Sequence, residues 1–124
     1  LIERYKVTRA IKKITASTQN QNQEKERNVM ARYVSLLRFT AQGARNLKQS
    51  PARAAAFEKA ANKVGVKVEL QLWTAGAYDG ILILSAPSET KALNAIARLV
   101  ATGNVTTETL QAFDAKEFAA IAGR

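Results

Sequence analysis

Residues 73–80 read Trp73-Thr74-Ala75-Gly76-Ala77-Tyr78-Asp79-Gly80, and the runs on either side of them decide the fold. Before the stretch, Val66, Val68, Leu70 and Leu72 alternate with Lys67, Glu69, Gln71 and Trp73, the period of a strand with one buried face. After it, Ile81-Leu82-Ile83-Leu84 is apolar at every position, as in a strand covered on both sides. The glycines supply backbone freedom where the chain reverses. Residues 73–80 are therefore the corner of a β-hairpin.

Working outward, Tyr33-Val34-Ser35-Leu36-Leu37-Arg38-Phe39 reads as an earlier strand. Thr40 is a plausible N-cap for a short helix beginning at Ala41. Pro51 breaks the helical pattern, so a second helix starts there with Ser50 as its cap. Ala54, Phe57, Ala61 and Val64 form its expected buried stripe, and Gly65 ends it. Beyond the hairpin, Ser88 caps a helix whose stripe is Leu93, Ile96, Ala97 and Val100. A last strand follows over residues 105–113, and Asp114 caps a closing helix carrying Phe118, Ala119 and Ile121.

The order βαββαβ plus a C-terminal helix predicts an α+β, ferredoxin-like domain, with two helices on one face of a four-stranded antiparallel sheet. Val66, Val68, Leu70 and Leu72 are expected to face the helices. Trp73, Gln71 and Glu69 are expected on the opposite face, with Arg38 or Tyr33 from the first strand. That second face keeps half of the apolar hairpin strand. A homodimer packed sheet to sheet around a small cavity would cover it.

Composition narrows the chemistry. The 124 residues contain neither cysteine nor histidine, which removes thiolate chemistry, disulfides and the usual zinc ligands. No metal site is expected. No apolar run approaches the roughly 18 residues of a membrane span, and the expectation is a cytoplasmic protein without a membrane partner. The net charge of +9 raises the question of nucleic acid. Almost half of that excess lies in residues 1–29, and the remaining basic residues form no run, so nucleic-acid binding is not expected.

Residues 1–29 read as a basic extension that ends in the polar, low-complexity stretch of residues 17–27. Such a segment buries too little apolar area to offset its ordering entropy. Lys25-Glu26-Arg27 can be encoded by a purine run resembling a bacterial ribosome-binding site, shortly before Met30, the only methionine. The expectation is a chain that starts at Met30, with residues 30–124 as the domain.

Five residues stand out as site candidates. Tyr78 and Asp79 could form a proton-transfer pair, Asp79 as base and Tyr78 as donor. The favoured alternative has Asp79 accepting backbone N–H bonds in the corner and Tyr78 packing under a helix. Trp73 could stack on a planar ligand, against a favoured role in cross-strand or interface packing. Arg38 and Glu108 could anchor a ligand by opposite charges, against the blander ion pair. Thr40-Ala41-Gln42-Gly43 could hold an anion on free N–H groups, although capping explains it equally well. No Walker motif, paired-carboxylate spacing or Ser/His arrangement appears, and no cofactor is expected.

Several ordered blocks together resemble the GYD-domain family. They are Phe39-Thr40-Ala41-Gln42-Gly43, Lys48-Gln49-Ser50-Pro51-Ala52-Arg53, Trp73-Thr74-Ala75-Gly76-Ala77-Tyr78-Asp79, Ala86-Pro87, Gly103-Asn104-Val105 and residues 107–113. Gly76, Tyr78 and Asp79 stand where the family's naming motif places its Gly, Tyr and Asp. The resemblance spans residues 31–121 and implies a ferredoxin-like fold of the dimeric α/β-barrel kind. It implies no particular reaction. Related barrel dimers include cofactor-independent monooxygenases and small-molecule-binding proteins, an analogy at the level of fold. Two functions follow as expectations: a small-molecule binder or enzyme with a cavity near Trp73, Tyr78 and Asp79, or a non-catalytic interaction module whose sheet face serves assembly.

Overall fold

A computed structural model describes residues 30–123. The expectations for residues 1–29 lie outside them. Within the described residues the chain forms β1 (Ala31–Phe39), α1 (Ala41–Arg45), a 3-10 turn (Leu47–Gln49) and α2 (Ser50–Lys63). It continues with β2 (Lys67–Trp73), β3 (Gly80–Ala86), α3 (Glu89–Ala101), β4 (Val105–Ala112) and α4 (Ala115–Ile121). The strands pair antiparallel in the order β2-β3-β1-β4. The sheet is open, and the arrangement is the ferredoxin-like one that the element order predicts.

Register assigns the faces. Tyr33, Ser35 and Leu37 of β1 stand opposite Leu84, Leu82 and Gly80 of β3. Leu82, Leu84, Tyr33 and Val66 pack into one core with Ala61 of α2 and Ala92, Ala95 and Ile96 of α3. This is the helix-covered face. It includes a part-buried polar pair, the hydroxyls of Ser35 and Thr109, 2.7 Å apart, one donating to the other.

The other face carries Val34 and Leu36 of β1 opposite Ile83 and Ile81 of β3. Beside them lie Leu70 and Leu72 of β2 and Leu110 of β4. This corrects the expected lining. Pairing shifts between Val68 and Leu70: Val68 faces Leu84, whereas Leu70 faces Ile83. Glu69 is thus a β-bulge, one extra residue that reverses the alternation beyond it. Val68 points to the helices, but after the bulge Gln71 and Trp73 do so, and Leu70 and Leu72 face outward. The Glu69 carboxylate accepts the Ser85 hydroxyl at 2.7 Å, which anchors the bulge to the neighbouring strand. Tyr33 likewise belongs to the helix face, not the open one, and only Arg38 of the two β1 candidates stands outward.

Helix starts follow local chemistry, with one exception. Thr40 Oγ1 accepts from Gly43 N, and Ser88 Oγ accepts from Lys91 N. Asp114 and Glu117 complete a capping box. At α2, however, Gln49 holds the cap position without a side-chain bond, and Ser50 is the first helical residue. The stripe of α3 also differs: Ala92, Ala95 and Ile96 are buried, while Leu93 and Val100 are exposed. Small alanines let α3 approach the sheet, which leaves the larger residues at its flanks. On α2, Ala61 is buried and Phe57 packs on the core, but Val64, just past its end, is about one-third exposed.

Candidate functional site

The corner is built from backbone-directed bonds. Thr74 N–H donates to Asp79 O at 2.9 Å, and Thr74 Oγ1 donates to Tyr78 O at 2.6 Å. Gly76 has φ +127°, a region L side chains rarely adopt. Asp79 then ties the corner to β1 twice. Its N–H donates to Leu37 O at 2.8 Å, and its Oδ2 accepts from Phe39 N at 2.9 Å.

Two sequence neighbours are thereby sent to different partners. Asp79 lines a cavity on the helix-covered side of the sheet. Tyr78 instead donates its hydroxyl to Glu108 Oε1 at 2.7 Å. The Arg38 guanidinium lies 4.2 Å from the centre of the Tyr78 ring, its Nη1 lies 3.7 Å from Glu108 Oε2, and its Nε donates to Ala77 O at 3.0 Å. Arg38, Tyr78 and Glu108 therefore form one cluster at the edge of the open sheet face. Donation to the Glu108 carboxylate holds the Tyr78 phenol above its usual range, burial adds to the shift, and the Arg38 cation opposes it. The structure brings these three candidates together and does not unite Tyr78 with Asp79 as an acid–base pair.

The cavity holds the other two candidates. It has a volume of about 430 Å³ between α2, α3 and the sheet, and its walls include Leu37, Phe57, Leu82, Leu99 and Val105. That volume lies within the range of small-molecule sites. Trp73, turned inward by the Glu69 bulge, contributes an indole that is half exposed and donates to Ser50 Oγ at 2.9 Å. Gln71 Nε2 donates to Ala54 O at 3.2 Å on the same helix. The polar part of the wall is therefore held by α2.

Sequence reasoning missed Arg53 and Arg98, both on the cavity wall. Arg53 Nη1 donates to Asn46 O at 2.8 Å, but its Nη2 is buried with no hydrogen-bond partner among the described residues. A buried donor left unpaired costs about 1–3 kcal/mol. The available signal was the spacing of Arg53 three residues after Ser50, which puts the two on neighbouring turns of one helix face.

At the far end, α1 approaches the start of β4. Thr40 N–H donates to Asn104 O at 3.0 Å, and Gln42 Nε2 donates to Thr102 O and Asn104 Oδ1. A Cβ on Gly43 would stand 2.1 Å from Asn104 O, so only glycine fits this crossing. The hydroxyl of Thr40 donates to Gly103 O while accepting the cap bond from Gly43. Capping and packing thus account for Thr40-Ala41-Gln42-Gly43.

Among the described residues there is no group of three or more metal-ligating side chains, and no helix is long and apolar enough to cross a membrane. The antiparallel sheet, its helix-side cavity and the Gly76-Ala77-Tyr78-Asp79 corner define a ferredoxin-like α+β domain with a candidate ligand site. The chain matches the family described as GYD domain over residues 33–122, and it belongs to that family. No curated protein and no solved structure matches it.

Proposed function

We propose that this GYD-domain protein is a small-molecule-binding or cofactor-independent enzyme-like domain that works as a homodimer. The observation that carries the reading is the apolar cavity of about 430 Å³ with Trp73 and Asp79 in its wall. Apolar walls would supply affinity, and the few polar groups would orient the ligand. If the site is catalytic, Asp79 is the base at hand, already positioned by its bond from Phe39 N. Tyr78, Arg38 and Glu108 then serve the open face, as a hydrogen-bonded edge where a second copy would pack.

Association is supported by the open face itself. Leu70, Leu72 and Leu110 are 40%, 51% and 56% exposed, next to Val34, Leu36, Ile81 and Ile83. Burying such side chains is worth roughly 1.5–3 kcal/mol each, so a few per subunit would offset the cost of association. That same face favours a second reading, a non-catalytic interaction module assembled through its sheet.

Native mass spectrometry of gently purified protein tests both. A dimer carrying a retained small mass is the expected result. A dimer with no retained mass, and no uptake of apolar probes, would replace the first reading with the second. A monomer at micromolar concentration would remove the sheet-to-sheet dimer.

A further inference from the structure

The charge on the cavity wall identifies the class of ligand. Among the described residues, three charged ones line it: Arg53, Arg98 and Asp79. Asp79 is the single carboxylate, and its Oδ2 is occupied by Phe39 N–H. Among the described residues, neither arginine forms a salt bridge. Arg53 spends Nη1 on a neutral carbonyl and Arg98 spends Nε on Asn94 Oδ1. The apolar space is therefore bordered by one net positive charge, with the Arg53 Nη2 donor unused.

Resting on the reading of this cavity as a ligand site, we infer that it takes a monocarboxylic acid with an apolar body. The carboxylate meets the Arg53 guanidinium, and the body lies against Trp73 and Phe57. As the side chain lies now, Nη2 is sealed by protein atoms, so the guanidinium turns toward the cavity to engage a ligand oxygen. A pair between two opposite charges is stronger than the bond to the neutral Asn46 carbonyl. Arg98, exposed on α3, adds to the positive potential. The volume of about 430 Å³ holds on the order of a dozen non-hydrogen atoms, taking the roughly 30 Å³ that a water fills in the liquid. One uncompensated positive charge suits a monoanion, and the apolar walls disfavour a second charge.

Decanoate and decanol match that size and differ in the headgroup. Each is titrated into the full-length protein while following the emission of Trp73, the only tryptophan in the chain. The expected result is that decanoate binds at least about tenfold more tightly than decanol. Arg53→Gln removes that preference, and Arg53→Lys retains part of it. Equal affinity of the native protein for acid and alcohol overturns the carboxylate assignment and leaves the cavity reading standing. An undiminished preference in Arg53→Gln does the same. Binding of neither compound overturns both. The comparison of acid with alcohol uses unaltered protein, so it does not depend on a variant folding.

Discussion

Trp73 Nε1 donates to Ser50 Oγ at 2.9 Å, joining the last residue of β2 to the first residue of α2. The bond fixes the indole as cavity wall. It also occupies a serine that the sequence alone would assign to capping. Ser50→Ala removes the acceptor and is expected to cost about 1 kcal/mol in urea unfolding. The indole N–H then turns to water, and Trp73 emission shifts to longer wavelength. Unchanged emission would mean that packing alone orients the ring.

Asp79 serves the fold whatever else it does. Asp79→Ala leaves the Phe39 N–H without its acceptor, at an expected cost of about 1–3 kcal/mol. Hydrogen exchange at the Phe39 amide should quicken accordingly. Asp79→Asn keeps an acceptor oxygen and should lose less. Equal losses in the two variants would show that charge, not hydrogen bonding, is what the corner requires.

Gly43→Ala places a methyl group against Asn104 O. The atoms it meets are Asn104 backbone at an element crossing, so relief requires α1 to move away from the start of β4. The expected destabilisation is about 1–3 kcal/mol or more, read from the urea midpoint. A neutral outcome would show that α1 shifts freely.

Tyr78 gives a pH signature. Its phenol is held above the ordinary value near 10, first by its bond to Glu108. The native state therefore keeps this proton more tightly than the unfolded chain. The associated stability is fully present below the unfolded value and is lost as pH rises through the folded one. Ultraviolet titration of tyrosinate should show a late transition in the native protein, shared with Tyr33, whose phenol is also held above its usual value by burial. Glu108→Gln should move the Tyr78 part of that transition to lower pH. If the variant titrates as the native protein does, the Glu108 bond is not the cause.

The open face predicts its own disruption. Leu110→Lys puts a charge on the β4 side of a surface proposed to be buried between copies. Self-association should weaken at least about tenfold by analytical ultracentrifugation. Unfolding of the isolated subunit should change by no more than about 0.5 kcal/mol, as for other exposed positions. Undiminished association would move the interface elsewhere.

Much of this structure is legible in the sequence where the deciding chemistry is local. Thr40, Ser88 and Asp114 mark their helices because a side chain meets an N–H only three residues away. The inward face of β2 was misread because its alternation is broken by Glu69, whose partner Ser85 lies on another strand. The stripe of α3 was misread because alanine is a weak apolar signal yet allows the closest approach. Of the five site candidates, composition and motif were enough to name them. Their division between two faces needed the register of three strands, and placing Arg53 in the cavity wall needed the packing of α2 on the sheet, since its spacing from Ser50 marks only a shared helix face.

The bulge at Glu69 makes β2 a strand whose lining is set by counting. From Glu69 to Trp73, parity alone decides which residues meet the ligand space and which meet a neighbour. Closing the bulge in an unchanged sequence, so that Glu69 paired with Ile83, would send Leu72 inward and Trp73 outward without changing any side chain. A lineage carrying this fold can therefore exchange recognition surfaces by gaining or losing a bulge, a route that comparing substitutions position by position would overlook.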